Sequence, residues 1–141
     1  MKHIRTKYAD YYVDSKNLRQ GKCKWYWENG KIERKGYYKN DKLDGECKWY
    51  YENGKLKEEG YYKDGMMEGQ HKWHYRNGKI EGKCYYKDDR LEGEYKSYYE
   101  SGKIEEERFY KDGKEITDPL KRFILIGERK INEKKKLRRG I

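Results

Sequence analysis

A period of 24 residues governs most of this chain. Glycines recur at that spacing in two sets, Gly21, Gly45, Gly69 and Gly93, and Gly30, Gly54, Gly78 and Gly102. Four units therefore align without a gap over residues 21–116, and Thr117 stands where a fifth glycine would fall. Because a unit this short cannot bury a core of its own, neighbouring units must stack into an extended array.

Each unit contains two turn signals separated by runs rich in Tyr and Trp, which favour strands. The first signal is ENGK or a close variant, and we interpret its Asn-Gly as a two-residue type I′ hairpin loop. That loop predicts the cross-strand pairs Trp27–Ile32, Trp25–Arg34 and Cys23–Gly36. The second signal joins successive hairpins at Asn40-Asp41, Asp64-Gly65, Asp88-Asp89 and Asp112-Gly113. The predicted fold class is all-β, an elongated single-layer antiparallel sheet of 24-residue hairpins.

Alternation along the strands gives this sheet two different faces. One carries Cys23, Trp25, Trp27, Ile32, Gly36 and Tyr38 with their later equivalents, and we expect it to be the inner, semi-buried face. The other carries lysines, glutamates and a second series of tyrosines, and we expect it to be solvated. Only 33% of the chain is hydrophobic while 16% is aromatic, so rings must replace aliphatic side chains in the core.

The sequence divides into an N-terminal half-repeat cap (1–20), four repeats (21–116) and a C-terminal cap with a basic tail (117–141). Thr117 or Asp118 could N-cap a helix that has Pro119 at its first position. Leu120, Phe123, Ile124 and Gly127 fit a short capping helix, although RFILI could equally form a strand, so the cap is helical or mixed. Residues 120–141 hold nine basic and two acidic residues, and so contribute +7 of the net charge of +10. An argument for polyanion binding therefore rests mainly on this tail.

Several functional classes find no support in the sequence. No signal peptide is expected, and the longest apolar run, Phe123–Ile126, is far too short to cross a membrane. Three cysteines without a CxxC motif indicate a reducing, cytoplasmic location. Cys84 should face His71 across a strand pair, either as a nucleophile or as a small residue filling the slot of Gly36 and Gly60, and no third group to orient the histidine is evident. We predict no enzyme, no catalytic residue, no metal and no cofactor.

The run Gly-x-x-Lys-Trp-Tyr-Tyr-Glu-Asn-Gly-Lys-Leu followed by Tyr-Tyr-Lys-Asp-Gly resembles MORN repeats, and more narrowly the bacterial YwqK-type antitoxin MORN variant. The resemblance covers roughly residues 11–116 and implies a single-layer antiparallel sheet with an aromatic-lined groove. The chain departs from the pattern at Ser97 (for Trp), at Asp41 and Asp89 (for the turn Gly), and at Arg108 (for a small residue). These departures suggest that the fourth unit is a cap or a partner contact.

Together these observations predict a non-enzymatic protein-binding module of bacterial or phage type. It would act as an antitoxin-like or inhibitor protein that occludes a toxin or effector, such as a nuclease, through its aromatic face and basic tail. The aromatic face could also be self-packed core only. Alternatives are RNA binding through the tail and a structural or membrane-proximal scaffold, and an edge-paired homodimer is possible. The candidate partner-binding residues are Trp25, Trp49, Trp73, Tyr75, Tyr99, His71, His74, Arg108, Arg122, Arg129, Lys130, Lys134, Lys135, Lys136, Arg138 and Arg139.

Overall fold

The computed structural model describes residues 1–140, so Ile141, the last residue of the predicted tail, lies outside the described residues. Within them, thirteen strands form one antiparallel sheet that is followed by one helix. This confirms the predicted all-β, single-sheet fold with a helical C-terminal element. The elements are β1 (Lys2–Arg5), β2 (Ala9–Val13), β3 (Arg19–Tyr26), β4 (Ile32–Lys39), β5 (Lys42–Tyr50), β6 (Leu56–Lys63), β7 (Met66–Met67), β8 (Gly69–His74), β9 (Ile80–Lys87), β10 (Arg90–Leu91), β11 (Gly93–Tyr98), β12 (Ile104–Lys111), β13 (Lys114–Glu115) and α1 (Pro119–Arg138).

The type I′ geometry predicted for the Asn-Gly turn occurs instead at the turn that connects successive hairpins. The connecting turn Asn40-Asp41 has positive φ at both residues, 49° and 68°, and closes a type I′ hairpin between β4 and β5. At Asn29-Gly30 only the glycine has positive φ (83°), and the Trp27 N–H donates to the Lys31 carbonyl at 2.8 Å across a three-residue loop. The predicted type I′ loop at Asn-Gly is therefore wrong. Asn29 instead accepts from the Lys31 N–H and donates to the Glu52 carbonyl of the next unit.

The extra loop residue shifts the register beside the turn. Tyr26 pairs with Ile32, and a bulge between Trp25 and Tyr26 then restores the predicted pairs Trp25–Arg34 and Cys23–Gly36. The predicted pair Trp27–Ile32 is wrong, and Ile32 lies on the face of Tyr26 rather than on the inner face. The same shift recurs at the equivalent place in each of the other three units.

The core is thin and lies along the predicted inner face. Its most buried side chains are Cys23 and Cys47, which are 0% and 1% exposed. Gly36 lies between them and pairs with both across the two neighbouring strands. A Cβ at Gly36 would lie 2.9 Å from the Cys47 sulfur. The absence of a side chain at Gly36 therefore allows β4 and β5 to pair while the Cys47 thiol occupies the space beside the glycine. The expectation of a semi-buried inner face is confirmed.

Side-chain hydrogen bonds between successive units hold the array together. The Trp27 indole N–H donates to the Tyr50 carbonyl at 3.2 Å. At the equivalent positions, the Tyr51 and Tyr75 hydroxyls donate to the His74 and Tyr98 carbonyls, each at 2.6 Å. Each of the first three units thus ties its first turn to the backbone of the unit that follows.

The C-terminal helix covers part of the face expected to be solvated. Asp118 is its N-cap and accepts hydrogen bonds from the Leu120 and Lys121 N–H groups, with Pro119 at the first position as predicted. The helix continues through most of the basic tail and packs over Phe109, which is only 3% exposed. That face is therefore not solvated at its C-terminal end.

The helix turns a different side to the sheet than expected. Leu125, Ile126 and Arg129 are half-buried, whereas the predicted capping residues Leu120, Phe123 and Ile124 are exposed and Gly127 makes no close approach to the sheet. The Arg129 guanidinium lies 3.9 Å from the centre of the Tyr85 ring, which fixes the rotation of α1. No helix in the described part of the chain has the length and apolarity needed to cross a membrane.

Candidate binding face

A row of side chains crosses the inner face at right angles to the strands. The register places Trp25 opposite Arg34, Arg34 opposite Trp49, Trp49 opposite Glu58, and Glu58 opposite Trp73. Three indoles therefore alternate with one cation and one anion. All three tryptophans are half-buried, and no other element of residues 1–140 covers this face. We call this set the tryptophan row.

Aromatic and cationic neighbours hold the rings of the tryptophan row in place. The Arg34 guanidinium lies 4.0 Å from the Trp25 ring centre. Trp25 also packs against Tyr38, with ring centroids 5.6 Å apart, and Trp49 packs against Tyr62 at 6.2 Å. The rings are thus ordered by their own sheet while one side of each remains open to solvent.

His71 lies beneath the row and is anchored by a carboxylate. It is 6% exposed, and its Nε2 lies 2.5 Å from Glu58 Oε1. This hydrogen bond is the main reason that the pKa of Glu58 is lowered. The expectation that no third group orients His71 is wrong, because Glu58 orients it from β6, the strand that pairs with β8.

Cys84 pairs with His71 across β8 and β9, as predicted, but its surroundings are those of a packing residue. The thiol is 2% exposed, and burial raises its pKa to about 11, which disfavours the thiolate. The only side-chain partner of the imidazole in the described chain is Glu58. Cys84 fills the slot that Gly36 and Gly60 fill in earlier units. Residues 1–140 contain no group of three or more His, Cys, Asp or Glu side chains that could hold a metal ion.

The tryptophan row ends at the fourth unit. Ser97 stands at the next tryptophan position and is only 7% exposed, with Gly82 opposite it. A side chain at Gly82 would collide with the ring of Trp73, so the absence of a side chain lets this indole lie across β9. Arg108 lies further along the inner face and pairs with Glu106 at 3.0 Å.

The remaining candidates fall into two groups. Tyr75 is occupied by its inter-unit hydrogen bond, and His74 supplies the carbonyl that Tyr51 binds, while its Nδ1 is buried without a partner in residues 1–140. Tyr99 is 51% exposed at the end of the array. The basic candidates lie on α1 or at its C-cap, with only the first two half-buried: Arg122, Arg129, Lys130, Lys134, Lys135, Lys136, Arg138 and Arg139.

The structure separates the two surfaces that the sequence suggested would act together. α1 packs on the face that carries Tyr85 and Phe109, and the tryptophan row lies on the opposite face. A single flat partner cannot contact both surfaces at once. The basic helix and the aromatic face are therefore two candidate sites and not one.

Lysine rows on the helix-bearing face were missed by the sequence analysis. Lys24, Lys35 and Lys48 lie directly opposite one another on successive strands, and Lys72, Lys83 and Lys96 do so two units later. Like charges placed directly opposite destabilise a sheet, so the pattern carries a cost. Lys48 pairs with Glu46 at 3.0 Å and Glu59 at 3.9 Å, and Lys96 pairs with Glu107 at 3.8 Å and Glu94 at 3.9 Å. The other four lysines make no ion pair within residues 1–140. The predicted pair Trp25–Arg34 already implied this register.

The family of the chain follows from its repeats. The profile of the MORN repeat variant matches residues 19–40, 43–64, 67–88 and 91–112. Comparison with curated proteins gave no match. The matched segments make up more than half of the chain and coincide with the hairpins and bulges described above. The chain belongs to the MORN repeat variant family.

Proposed function

We propose that this protein is a non-catalytic binding module that holds an extended segment of a partner protein along the tryptophan row. The observation that carries the proposal is the alternation of three half-buried indoles with Arg34 and Glu58 on an uncovered face. Trp rings and arginine are typical anchors at protein interfaces. Ordered rings also cost little conformational entropy when a partner binds.

The spacing of the row suggests the kind of segment that fits. The indoles are two strands apart, about 9–10 Å, so Trp25 and Trp73 are separated by about 19 Å. That distance corresponds to about six residues of extended chain. Arg34 and Glu58 lie between the rings, so a segment with apolar anchors and one residue of each charge would match the row.

An antitoxin-like or inhibitory role is the finer form of this proposal. It is supported by the resemblance to YwqK-type antitoxin repeats and by a surface that could occlude a toxin or effector, such as a nuclease. We further propose a reducing, cytoplasmic setting, because all three cysteines are buried as free thiols and none forms a disulfide.

Affinity purification from native lysate, with and without RNase, followed by mass spectrometry, tests the proposal. We expect one polypeptide to be retained after RNase and to be lost with Trp49→Ala. The matched control is Tyr61→Ala, which removes a 51% exposed ring from the opposite face. Hydroxyl-radical footprinting of the complex avoids any effect of mutation on folding, and should protect the indoles but not Tyr61. Equal capture by both variants, or protection of Tyr61 alone, would contradict the proposal.

Nucleic-acid binding is a second candidate, favoured by the lysine rows. Lys24, Lys35 and Lys48 run across the face that also carries α1, and the exposed rings of Tyr37 and Tyr61 flank them. Such a surface could neutralise phosphates while the rings stack on bases. Binding to single-stranded RNA should then weaken with salt, and Lys35→Ala should reduce the salt dependence while Trp49→Ala leaves it unchanged. Binding that is insensitive to salt would exclude this candidate.

A further inference from the structure

We infer that copies of this chain associate head to tail, with the open edge of β12 in one copy pairing with the open edge of β1 in a second copy. The inference concerns a surface distinct from the tryptophan row and does not depend on the proposed function. It rests on three observations: unsatisfied edges at both ends, strand directions that match, and charges of opposite sign.

The outer edge of β12 lacks the strand that the preceding units have. Glu58 and Glu59 of β6 pair with β8, and the equivalent residues of β9 pair with β11. Glu106 and Glu107 occupy these positions in β12, and no strand of residues 1–140 lies beside them. β13 covers only the far end of β12, at Tyr110 and Lys111. Residues 104–107 are all exposed.

The side chains next to this edge also lack the following unit. Lys31, Lys55 and Lys79 each donate from Nζ to a backbone carbonyl of the next unit. Lys103 holds the equivalent position in the last unit, and Tyr99 holds that of Tyr51 and Tyr75. Neither has a further hairpin to bind within residues 1–140. The C-terminal end of the array therefore presents donors suited to the backbone of another hairpin.

The other end of the sheet is the outer edge of β1. Within residues 1–140 this strand pairs with β2 on one side only, and Lys2, His3 and Arg5 are exposed while Ile4 is half-buried. Its free N–H and C=O groups form a template of about the same length as the open part of β12.

Strand direction permits the two edges to pair without turning a copy around. Nine antiparallel contacts separate β1 from β12 along the sheet, so these two strands run in opposite directions. A second copy stacked in the same orientation thus presents β1 antiparallel to β12, which continues the pattern of the array. The contact is heterologous, since it joins different surfaces of two identical chains.

Charge selects this arrangement over the symmetric alternatives. The open part of β12 carries Glu105, Glu106 and Glu107, and its neighbouring cations, Arg108 beside Glu106 and Lys96 beside Glu107, leave it net negative. The edge of β1 carries Lys2 and Arg5, and Asp10, which pairs with His3 and Arg5, leaves it net positive. Two β12 edges would place acids opposite acids, and two β1 edges would place cations opposite cations, which destabilises a strand pair. Charged edges normally prevent pairing between sheets, but here the opposite signs make only the head-to-tail pair favourable.

Sedimentation velocity on the full chain without an N-terminal tag tests the inference. We expect the mean size to rise with protein concentration and to fall with added salt. A tail variant, Glu106→Lys with Glu107→Lys, and a head variant, Lys2→Glu with Arg5→Glu, should each weaken self-association about tenfold or more. The matched control is Glu46→Lys with Glu52→Lys, which makes the same change of charge on exposed residues within the array and should associate like the wild type.

Mixing the tail and head variants distinguishes this contact from other kinds of association. The reversed tail of one variant is complementary to the reversed head of the other, so the mixture should recover wild-type association. Recovery also shows that both variants are folded. A wild type that stays monomeric at every concentration, a tail variant that still forms dimers, or a mixture that stays monomeric would each overturn the inference.

Discussion

Replacing Tyr51 by Phe should measure how strongly one repeat is fastened to the next. The Tyr51 hydroxyl donates to the His74 carbonyl at 2.6 Å, and the substitution removes this bond while the ring stays in place. A hydrogen bond of this kind contributes about 1 kcal/mol to the free energy of unfolding. For 141 residues the entropy of unfolding is about 0.3 kcal/mol per degree, so Tm should fall by roughly 3 °C.

The chain supplies its own control for this measurement. Tyr99 occupies the equivalent position two units later, is 51% exposed and has no following unit in residues 1–140. Tyr99→Phe should therefore leave Tm and the urea midpoint unchanged, provided that both are measured at a dilution where the chain is monomeric. Thermal and urea unfolding followed by circular dichroism give both values. Equal destabilisation by the two substitutions would show that the hydroxyls do not act between units.

Three further outcomes follow from the same structure. Hydrogen bonding to His71 lowers the pKa of Glu58, so the ionised carboxylate stabilises the fold above the unfolded pKa of about 4.5, and this stabilisation is lost as the pH falls through the folded pKa. Glu58→Gln should therefore be less stable than the wild type at neutral pH and should lose less stability on acidification. Urea midpoints measured across pH check both outcomes. Gly65 has φ of 82° in a type I′ turn, so Gly65→Ala should lower the free energy of unfolding by about 1–2 kcal/mol and Gly65→Asn by much less, measured by urea unfolding. Burial raises the pKa values of the three thiols to about 11–12, so alkylation at pH 8 should be slow in the folded protein and fast in urea, and rapid labelling of any one of them would contradict the buried core.

The repeat period carries most of the information about the fold. Equal spacing of turn residues sets the number of hairpins. The pairs Cys23–Gly36 and Trp25–Arg34 follow by counting from a two-residue loop, and they remain correct because the bulge between Trp25 and Tyr26 compensates for the extra loop residue. What the arithmetic did not supply is the role of the residue before the turn glycine, whose side-chain oxygen accepts a hydrogen bond from the N–H two residues on. This bond is made in all four units, at Asn29, Asn53, Asn77 and Ser101. The same loop closes from Tyr99 to Lys103, where residues 1–140 contain no following unit, so the turn type is decided within each hairpin and the bond from Asn29 to the next unit adds to it.

The side of α1 that faces the sheet could not be predicted from the helix sequence alone. Leu120 and Phe123 were predicted to belong to the capping surface, yet they are 67% and 76% exposed. The sheet offers only a small apolar landing site, formed by Phe109 beside Tyr85. A stacked arginine, Arg129, therefore docks on this site together with the half-buried Leu125 and Ile126. The sequence pattern predicted the helix, but the contact of Arg129 with the apolar site on the sheet sets which side of the helix faces inward.

One substitution in the sequence did point to that landing site. Phe109 stands where the earlier units have Tyr37, Tyr61 and Tyr85. Tyr37 and Tyr61 are about half exposed, so their hydroxyls are free to bind water. A hydroxyl at Phe109, buried under α1, would need a partner or would destabilise the fold. This departure of the fourth unit is therefore explained by the helix and needs no partner protein. On the opposite face, Ser97 marks where the tryptophan row ends, so partner contacts along that row are expected in the first three units only.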